Sequence, residues 1–184
     1  MNTPPEAVPK PEAVALALAA RLAQDSFGTG PLATLRRLDP GGSLAEPALH
    51  RLLAQEVPDA WLGARGLRDW ALLVHLLALG APDLHRGGAR LGAALHAAGF
   101  SESRLARLLQ ADRTALDVLL PRACRFLLAK GEHLHPPALI QLIRAASATD
   151  PAYLDDARTA IARDFYRAER DADRAASPVS VEAS

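Results

Sequence analysis

A leucine-rich stretch at residues 104–132, RLARLLQADRTALDVLLPRACRFLLAKGE, constrains the fold of this chain more than any other feature. Its apolar side chains recur at steps of three and four residues, which is the spacing of one buried stripe along an α-helix. The predicted stripe consists of Leu116, Leu119, Leu120, Ala123 and Leu127. On the same helical geometry, Arg122 and Arg125 face away from this stripe. The stretch therefore predicts helices that bury leucine on one side and present arginine on the other.

Pro121 interrupts this pattern, because proline lacks the backbone N–H that an interior helix position donates. The sequence therefore predicts a kink, or two helices with Pro121 in the first turn of the second. Lys130 and Gly131 predict the end of the helix, since cations are favourable near a helix C-terminus and glycine readily adopts a left-handed cap.

Composition extends the helical prediction to most of the chain. Aromatic residues make up only 4% of the 184 residues, and the abundance of alanine and leucine favours helices over strands. We expect an all-α helical bundle that forms one domain or, in an elongated chain, two small helical lobes. The expected parts are a flexible lead at residues 1–11, an N-terminal lobe at 12–99, a C-terminal lobe at 100–174 and a disordered tail at 175–184.

Local signals predict how several residues are used within this bundle. A first helix is expected over residues 11–27. Ser101 and Asp150 are predicted N-caps, because their side-chain oxygens can accept the unpaired N–H groups of a first turn. His75 lies in the almost wholly apolar stretch WALLVHLLALG, and we expect it to be a hydrogen-bonded core residue of a central helix. The single cysteine, Cys124, has apolar neighbours and is expected to be a buried structural thiol.

The formal net charge is zero, but the charges are unevenly distributed. Residues 21–145 contain 15 Lys or Arg side chains against 11 Asp or Glu, whereas both ends of the chain are acidic. A modest basic excess is compatible with a polyanionic partner and equally with an ordinary solvated surface.

Adjacent arginines on a short predicted helix are candidate anion contacts. Arg36 and Arg37 precede the turn DPGG, and planar guanidinium groups with several donors suit phosphates. The same pair would also suit a solvated helix face. Reversing both charges is expected to leave the fold intact, whereas Leu119→Asp is expected to unfold the lobe because it buries an unpaired carboxylate.

A second set of arginines forms a ridge on the last predicted helix. The ridge consists of Arg163, Arg167, Arg170 and Arg174. Asp164 and Asp171 are spaced to pair with Arg167 and Arg174, three residues further along. These pairs would neutralise part of the ridge.

Catalytic and cofactor motifs are not found in this sequence. We find no nucleophile elbow, phosphate-binding loop, dinucleotide turn, zinc-protease helix or paired-cysteine metal box. His133 and His135 beside Glu132 are a weak metal signal without further clustered ligands. The proline-rich start does not resemble a signal peptide, and the longest uncharged apolar stretch is shorter than the ~20 residues of a membrane span. We expect a cytoplasmic, non-membrane protein, and these residues indicate neither a catalytic site nor a cofactor.

Three stretches taken in order resemble the CasB family, the small subunit of the type I-E CRISPR Cascade complex. They are GPLATLRRLDPG at residues 30–41, the leucine-rich stretch at 104–132, and IARDFYRAER at 161–170; WALLVHLLALGA is similar to the apolar middle helix of that family. The resemblance implies an all-α, non-catalytic protein of two small helical lobes that forms a head-to-tail pair beside the backbone subunits and the large subunit of the complex. It also implies that basic side chains help to hold opened target DNA beside the guide RNA in antiviral defence.

Nine candidate nucleic-acid-binding residues are carried over by this resemblance, and a tenth is added on helical geometry. The nine are Arg36, Arg37, Arg104, Arg107, Arg122, Arg125, Lys130, Arg163 and Arg167; the tenth is Arg144. Phosphate contacts of this kind are sequence-independent, which suits a complex whose specificity comes from base pairing. The few aromatic residues argue against a platform for base stacking.

Two other functions stay open from the sequence. Gly99-Phe100-Ser101 lies between two predicted helices and has the form of a tight helical turn, as in a helix-turn-helix DNA-binding regulator. A helical enzyme would instead show a deep polar pocket that collects titratable groups.

Overall fold

The computed structural model describes residues 9–81, 89–133 and 135–176. These residues form nine α-helices and two 3-10 turns, with no strand among them, so the all-α prediction is confirmed. The helices are α1 (Pro11–Leu22), α2 (Thr29–Arg36), α3 (Pro47–Glu56), α4 (Ala64–Gly80), α5 (Leu91–Ala97), α6 (Glu102–Leu109), α7 (Arg113–Ala129), α8 (Pro136–Ser147) and α9 (Pro151–Ala176). The 3-10 turns are Asp25–Phe27 and Asp59–Trp61.

Some predicted segments fall on residues that the structure does not describe. Residues 1–8 of the predicted lead, the loop at 82–88, residue 134 of the histidine-containing turn and residues 177–184 of the predicted tail lie outside the described residues. The described chain continues the last helix to Ala176, two residues beyond the predicted end of the C-terminal lobe.

The first helix is shorter than predicted. α1 ends at Leu22, and the chain then passes through the turn Asp25–Phe27 to Gly28, whose φ of 86° is accessible mainly to glycine. The predicted helix over residues 11–27 is wrong at its C-terminal end, because the apolar spacing does not reveal where the backbone changes to the tighter turn.

Of the two alternatives predicted at Pro121, two separate helices are wrong, whereas a kink stays a prediction. α7 continues through Pro121, which is buried in its interior. Leu120 and Cys124 on either side of it are fully buried, and we attribute the continuity to this packing, which offsets a proline cost of about 3 kcal/mol. α7 begins instead at Arg113, directly after its N-cap Asp112. The Asp112 carboxylate Oδ1 accepts a hydrogen bond from the backbone N–H of Ala115 at 2.7 Å.

The other predicted caps have mixed outcomes. Gly131 has a φ of 70°, and the N–H groups of Gly131 and Glu132 bond to the carbonyls of Leu128 and Leu127, which confirms the predicted end of α7. Asp150 accepts from the N–H of Ala152 at 2.9 Å, as predicted.

Ser101 occupies the N-cap position of α6 but does not form the predicted cap. Its hydroxyl makes no capping hydrogen bond and lies 3.1 Å from the hydroxyl of Ser103 instead.

The core is organised around α4, which is buried on almost every side from Asp69 to Gly80. α4 packs against α1, α2, α7 and α8, while α5 packs along α9 and α1 along α8. Several of these contacts join residues on opposite sides of the predicted lobe boundary at residue 99, so the two-lobe division stays a prediction. Of the predicted stripe on α7, Leu119 is only half-buried, because it forms part of a surface pocket described below.

A partly buried polar network ties α4, α7 and α8 together. Asp69 accepts hydrogen bonds from Arg113 Nε at 2.8 Å and from the Ser147 hydroxyl at 2.7 Å, and Arg113 also pairs with Asp117 at 2.6 Å. Burial alone lowers the pKa of the Arg113 guanidinium, but the hydrogen bonds and charges of Asp117 and Asp69 together raise it. Arg113 therefore stays charged and paired inside the bundle.

Two further core predictions are confirmed. His75 is buried and its ring Nδ1 lies 3.1 Å from the carbonyl oxygen of Leu35. Cys124 is fully buried, and this burial raises the pKa of its thiol to about 12.

Candidate nucleic-acid interface

The first part of the candidate interface is a cleft between α2 and α7, here called the α2–α7 cleft, with a volume of about 500 Å³. Four predicted cations line it: Arg36, Arg37, Arg122 and Arg125. All four side chains are exposed. Arg122 and Arg125 form no ion pair within the described ranges of the chain. The cleft therefore brings together cations that are about 90 residues apart in the sequence.

Arg36 is not wholly available to a ligand, because it also caps α4. Its Nε donates to the carbonyl of Ala78 at 2.9 Å and its Nη2 to the carbonyl of Ala81 at 2.8 Å. These carbonyls lie at the C-terminal end of α4, where the helix leaves acceptors unpaired and a cation is favourable. Arg37 makes only a 3.2 Å hydrogen bond to the carbonyl of Ala33 in its own helix.

The two carboxylates of the cleft already have partners. Asp117 is paired with Arg113 on the core side, and Asp39 accepts from the backbone N–H of Gly41 at 3.1 Å. The ion pair with Arg113 offsets the charge of Asp117, whereas the neutral backbone N–H leaves the charge of Asp39 in the cleft, opposite four arginines.

His75 contributes the floor of the cleft. Burial lowers the pKa of His75, the hydrogen bond to the Leu35 carbonyl opposes this shift, and the charge of Arg125 adds to it. His75 is therefore a neutral core side chain near neutral pH and not one of the cations of the cleft.

The second part is a smaller pocket between α6 and α7, here called the Phe126 pocket, with a volume of about 270 Å³. Phe100, Leu108, Leu119, Ala123 and Phe126 form its apolar lining. Arg104, Arg107 and Arg122 also line it, and no carboxylate does. The pocket thus combines an apolar lining with positive charge.

Two cations lie over the Phe126 ring. The guanidinium carbon of Arg104 is 5.4 Å and the Lys130 ammonium 6.0 Å from the ring centroid, both within the range of a cation–π contact. Phe100 meets the same ring edge to face at a centroid distance of 5.4 Å. These contacts hold Arg104 and Lys130 beside the pocket.

Arg122 lines both the α2–α7 cleft and the Phe126 pocket, and so joins them. We call this joined surface of α2, α6 and α7 the basic face. It carries seven of the ten predicted residues: Arg36, Arg37, Arg104, Arg107, Arg122, Arg125 and Lys130.

The other three predicted residues are exposed but lie in other settings. Arg144 lies over the ring of Trp61, with its guanidinium carbon 5.3 Å from the ring centroid. Arg163 lines a different cleft together with Arg90, and Arg167 lies on α9.

The predicted ion pairs of the α9 ridge are wrong. Asp164 pairs with Arg90 at 3.4 Å instead of Arg167, and Asp171 pairs with its neighbour Arg170 at 3.0 Å instead of Arg174. Asp164 faces α5, which packs closely along α9 and brings Arg90 within reach. Helical spacing alone could not reveal this competitor.

Sequence reasoning missed Phe100, Leu119 and Phe126 as parts of a pocket. Their spacing is that of core residues, and the sequence contains no signal that α6 leaves part of their surface uncovered. It also missed the structural use of Arg113, for which the only available signal was the four-residue spacing to Asp117.

The described residues contain neither a metal-ligand cluster nor a membrane-spanning helix. No group of three or more His, Cys, Asp or Glu side chains there is placed to hold a metal ion. None of the helices in these ranges combines the length and apolar character that a bilayer span requires.

Comparison with known proteins identifies the family. The family described as CRISPR-associated protein Cse2 matches residues 31–166, which is more than half of the chain and includes nine of the ten predicted residues. No curated protein matches the chain, and no solved structure matches it. Cse2 proteins, also called CasB, are structural subunits of the type I-E CRISPR Cascade complex. This chain therefore belongs to the Cse2 family, the small subunits of type I-E Cascade.

Proposed function

We propose that this chain is a cytoplasmic, non-catalytic Cascade subunit whose basic face contacts the phosphate backbone of guide RNA or target DNA. In this role it stabilises the opened target during antiviral defence. Its expected partners are the backbone subunits, the large subunit and a second copy of this chain. The proposal combines membership of the family with the positions of the predicted cations.

The observation that carries the proposal is the position of Arg122 between the α2–α7 cleft and the Phe126 pocket. Through Arg122, cations from α2, α6 and α7 form one surface instead of separate solvated faces. A backbone with regularly spaced phosphates can contact such a surface at several points without regard to base sequence. Arg122 and Arg125 are one helical turn apart, exposed and without an ion pair in the described structure.

The proposal is tested by reversing Arg122 and Arg125 to Glu and measuring target-DNA binding by the reconstituted complex at several salt concentrations. The matched control reverses Arg51 and Arg174, which are exposed residues outside the basic face. If each arginine of the first pair contacts one phosphate, the reversal removes about 1.4–1.8 from the slope of log affinity against log salt, depending on the strand. The control pair is expected to leave the slope unchanged.

Assembly must be verified for both variants by native mass spectrometry of the purified complex. Normal assembly with an unchanged salt slope for the Arg122/Arg125 variant would contradict the proposal. Sequence-specific duplex binding by the chain alone, with no recovery in a complex, would instead support the helix-turn-helix regulator.

A further inference from the structure

The Phe126 pocket contains more apolar surface than phosphate binding requires. A surface that contacts only phosphates needs cations and backbone hydrogen-bond donors. This pocket is lined by five apolar residues in addition to its three arginines. Leu119 is only half-buried there, although it falls at core spacing on α7. Part of the leucine stripe therefore stays accessible to solvent, with Arg104, Arg107 and Arg122 around it.

The chemistry of the pocket defines the ligand it suits. Arg104, Arg107 and Arg122 favour an anionic ligand, and the absence of a carboxylate among the lining residues removes any competing internal partner. The apolar floor favours a ligand that also has a hydrophobic or aromatic part. A volume of about 270 Å³ lies just below the ~300–1,000 Å³ of pockets for drug-sized molecules. The pocket is therefore large enough for one ring system but too small for several side chains of a peptide.

We infer that the Phe126 pocket accepts a single unstacked base of single-stranded nucleic acid, while the surrounding arginines contact its flanking phosphates. This inference rests on the proposed function and adds a base contact to it. Bases splayed out of single strands are commonly stacked on aromatic rings or on arginine planes. In this pocket the Arg104 guanidinium lies over the Phe126 ring, 5.4 Å from its centroid, so a base stacks either on the outer face of the guanidinium or on the ring after the guanidinium has moved aside. One such pocket differs from the row of aromatic residues that forms a stacking platform, which the sequence does not contain.

An acidic peptide with one hydrophobic anchor would satisfy the same chemistry, but the surroundings favour a nucleic acid. Arg122 continues the positive surface from this pocket into the α2–α7 cleft, where Arg37 and Arg125 are exposed. A strand that places one base in the pocket can therefore continue along further phosphate contacts. A short peptide anchor would leave that part of the face unused.

The experiment is an NMR titration of the full-length chain with methyl-labelled leucine at low salt. Three probes are compared: a twelve-residue oligothymidylate, an abasic backbone of the same length and charge, and a peptide of glutamates around one leucine. An inserted base should shift the methyl signals of Leu108 and Leu119 through its ring current, and the abasic backbone should not produce this shift. The oligothymidylate should also bind at least about fivefold more tightly than the abasic backbone, since stacking contributes about 1–3 kcal/mol per base.

Phe126→Leu keeps an apolar side chain but removes the ring, so it should reduce the oligothymidylate affinity to near that of the abasic backbone. Arg125→Gln, in the α2–α7 cleft, should weaken both oligonucleotides by a similar factor. Equal binding of the two by the wild-type chain, without ring-current shifts, would overturn the base pocket and leave the phosphate contacts standing. Shifts caused by the peptide alone would assign the pocket to a protein partner, and the absence of binding to any probe would also overturn the inference.

Discussion

Arg36 both caps the end of α4 and lines the α2–α7 cleft. Its replacement therefore measures how much this cation contributes to folding, apart from any contribution to binding. Arg36→Ala removes two hydrogen bonds from a charged donor, at 2.9 and 2.8 Å, to carbonyls at the end of α4. Such bonds typically contribute about 1.5–3 kcal/mol each. Because the side chain is exposed, water can replace part of this interaction, so we expect a total loss of about 2–3 kcal/mol. For a domain of this size, this corresponds to a decrease in Tm of roughly 4–12 °C.

The assay is thermal unfolding of the full-length chain followed by circular dichroism, with Arg37→Ala as the matched control. Arg37 makes one 3.2 Å bond within its own exposed helix, so its replacement should change stability by no more than about 0.5 kcal/mol. Equal Tm values for the two variants would refute the capping role. The expectation that reversing both arginines leaves the fold intact stays a prediction, but because Arg36 also caps α4, DNA-binding tests on α2 should use Arg37 alone.

Three further predictions concern the core. Gly92→Ala should lower Tm by roughly 2–12 °C, because the new methyl group would collide with the Ile161 carbonyl and overpacking costs about 1–3 kcal/mol; an unchanged Tm would contradict this close approach. Burial lowers the pKa of His75 below its usual 6.5, so the unfolded state binds the proton more readily and the free energy of unfolding should fall as the pH drops below about 6.5. Denaturant titrations of wild type and His75→Gln should show a weaker pH dependence in the variant. With its pKa raised to about 12, the thiol of Cys124 should react with a thiol reagent at pH 8 only after denaturant is added; rapid reaction of the native chain would contradict its burial.

The sequence was most informative about residues whose behaviour depends on their own helix. Leucine spacing correctly predicted that Leu116, Leu120 and Leu127 are buried while Arg122 and Arg125 are exposed. This succeeds because the angular position of a side chain around a helix follows from the 3.6-residue repeat. Gly131 similarly indicated where α7 ends.

The sequence was least informative where one helix acts on another. Arg36 caps the end of α4, although it is 42 residues away from Ala78 in the sequence. Asp164 forms its ion pair with Arg90, which immediately precedes α5. The spacing correctly predicted the direction in which Leu119 points from α7 but overestimated its burial, because α6 determines how much of that face of α7 is covered. Periodicity gives the direction of a side chain relative to its helix axis, whereas partners and burial depend on packing between helices.

The structure also explains how a chain with zero net charge can present a positive surface. Asp117 is held by Arg113 on the side of α7 that faces the core, while Arg122 and Arg125 on the same helix face the solvent. Asp39 accepts a hydrogen bond from the backbone of its own turn and keeps its charge, so one carboxylate without an ion pair among the described residues faces the four arginines of the α2–α7 cleft. At physiological ionic strength, charges further away than the ~8 Å Debye length are largely screened, so a bound strand would respond to the local arginines and not to the total charge. Net charge is therefore a poor guide to polyanion binding where an internal ion pair such as Arg113–Asp117 offsets a nearby carboxylate, and the salt slope of the Arg122/Arg125 variant measures the local field directly.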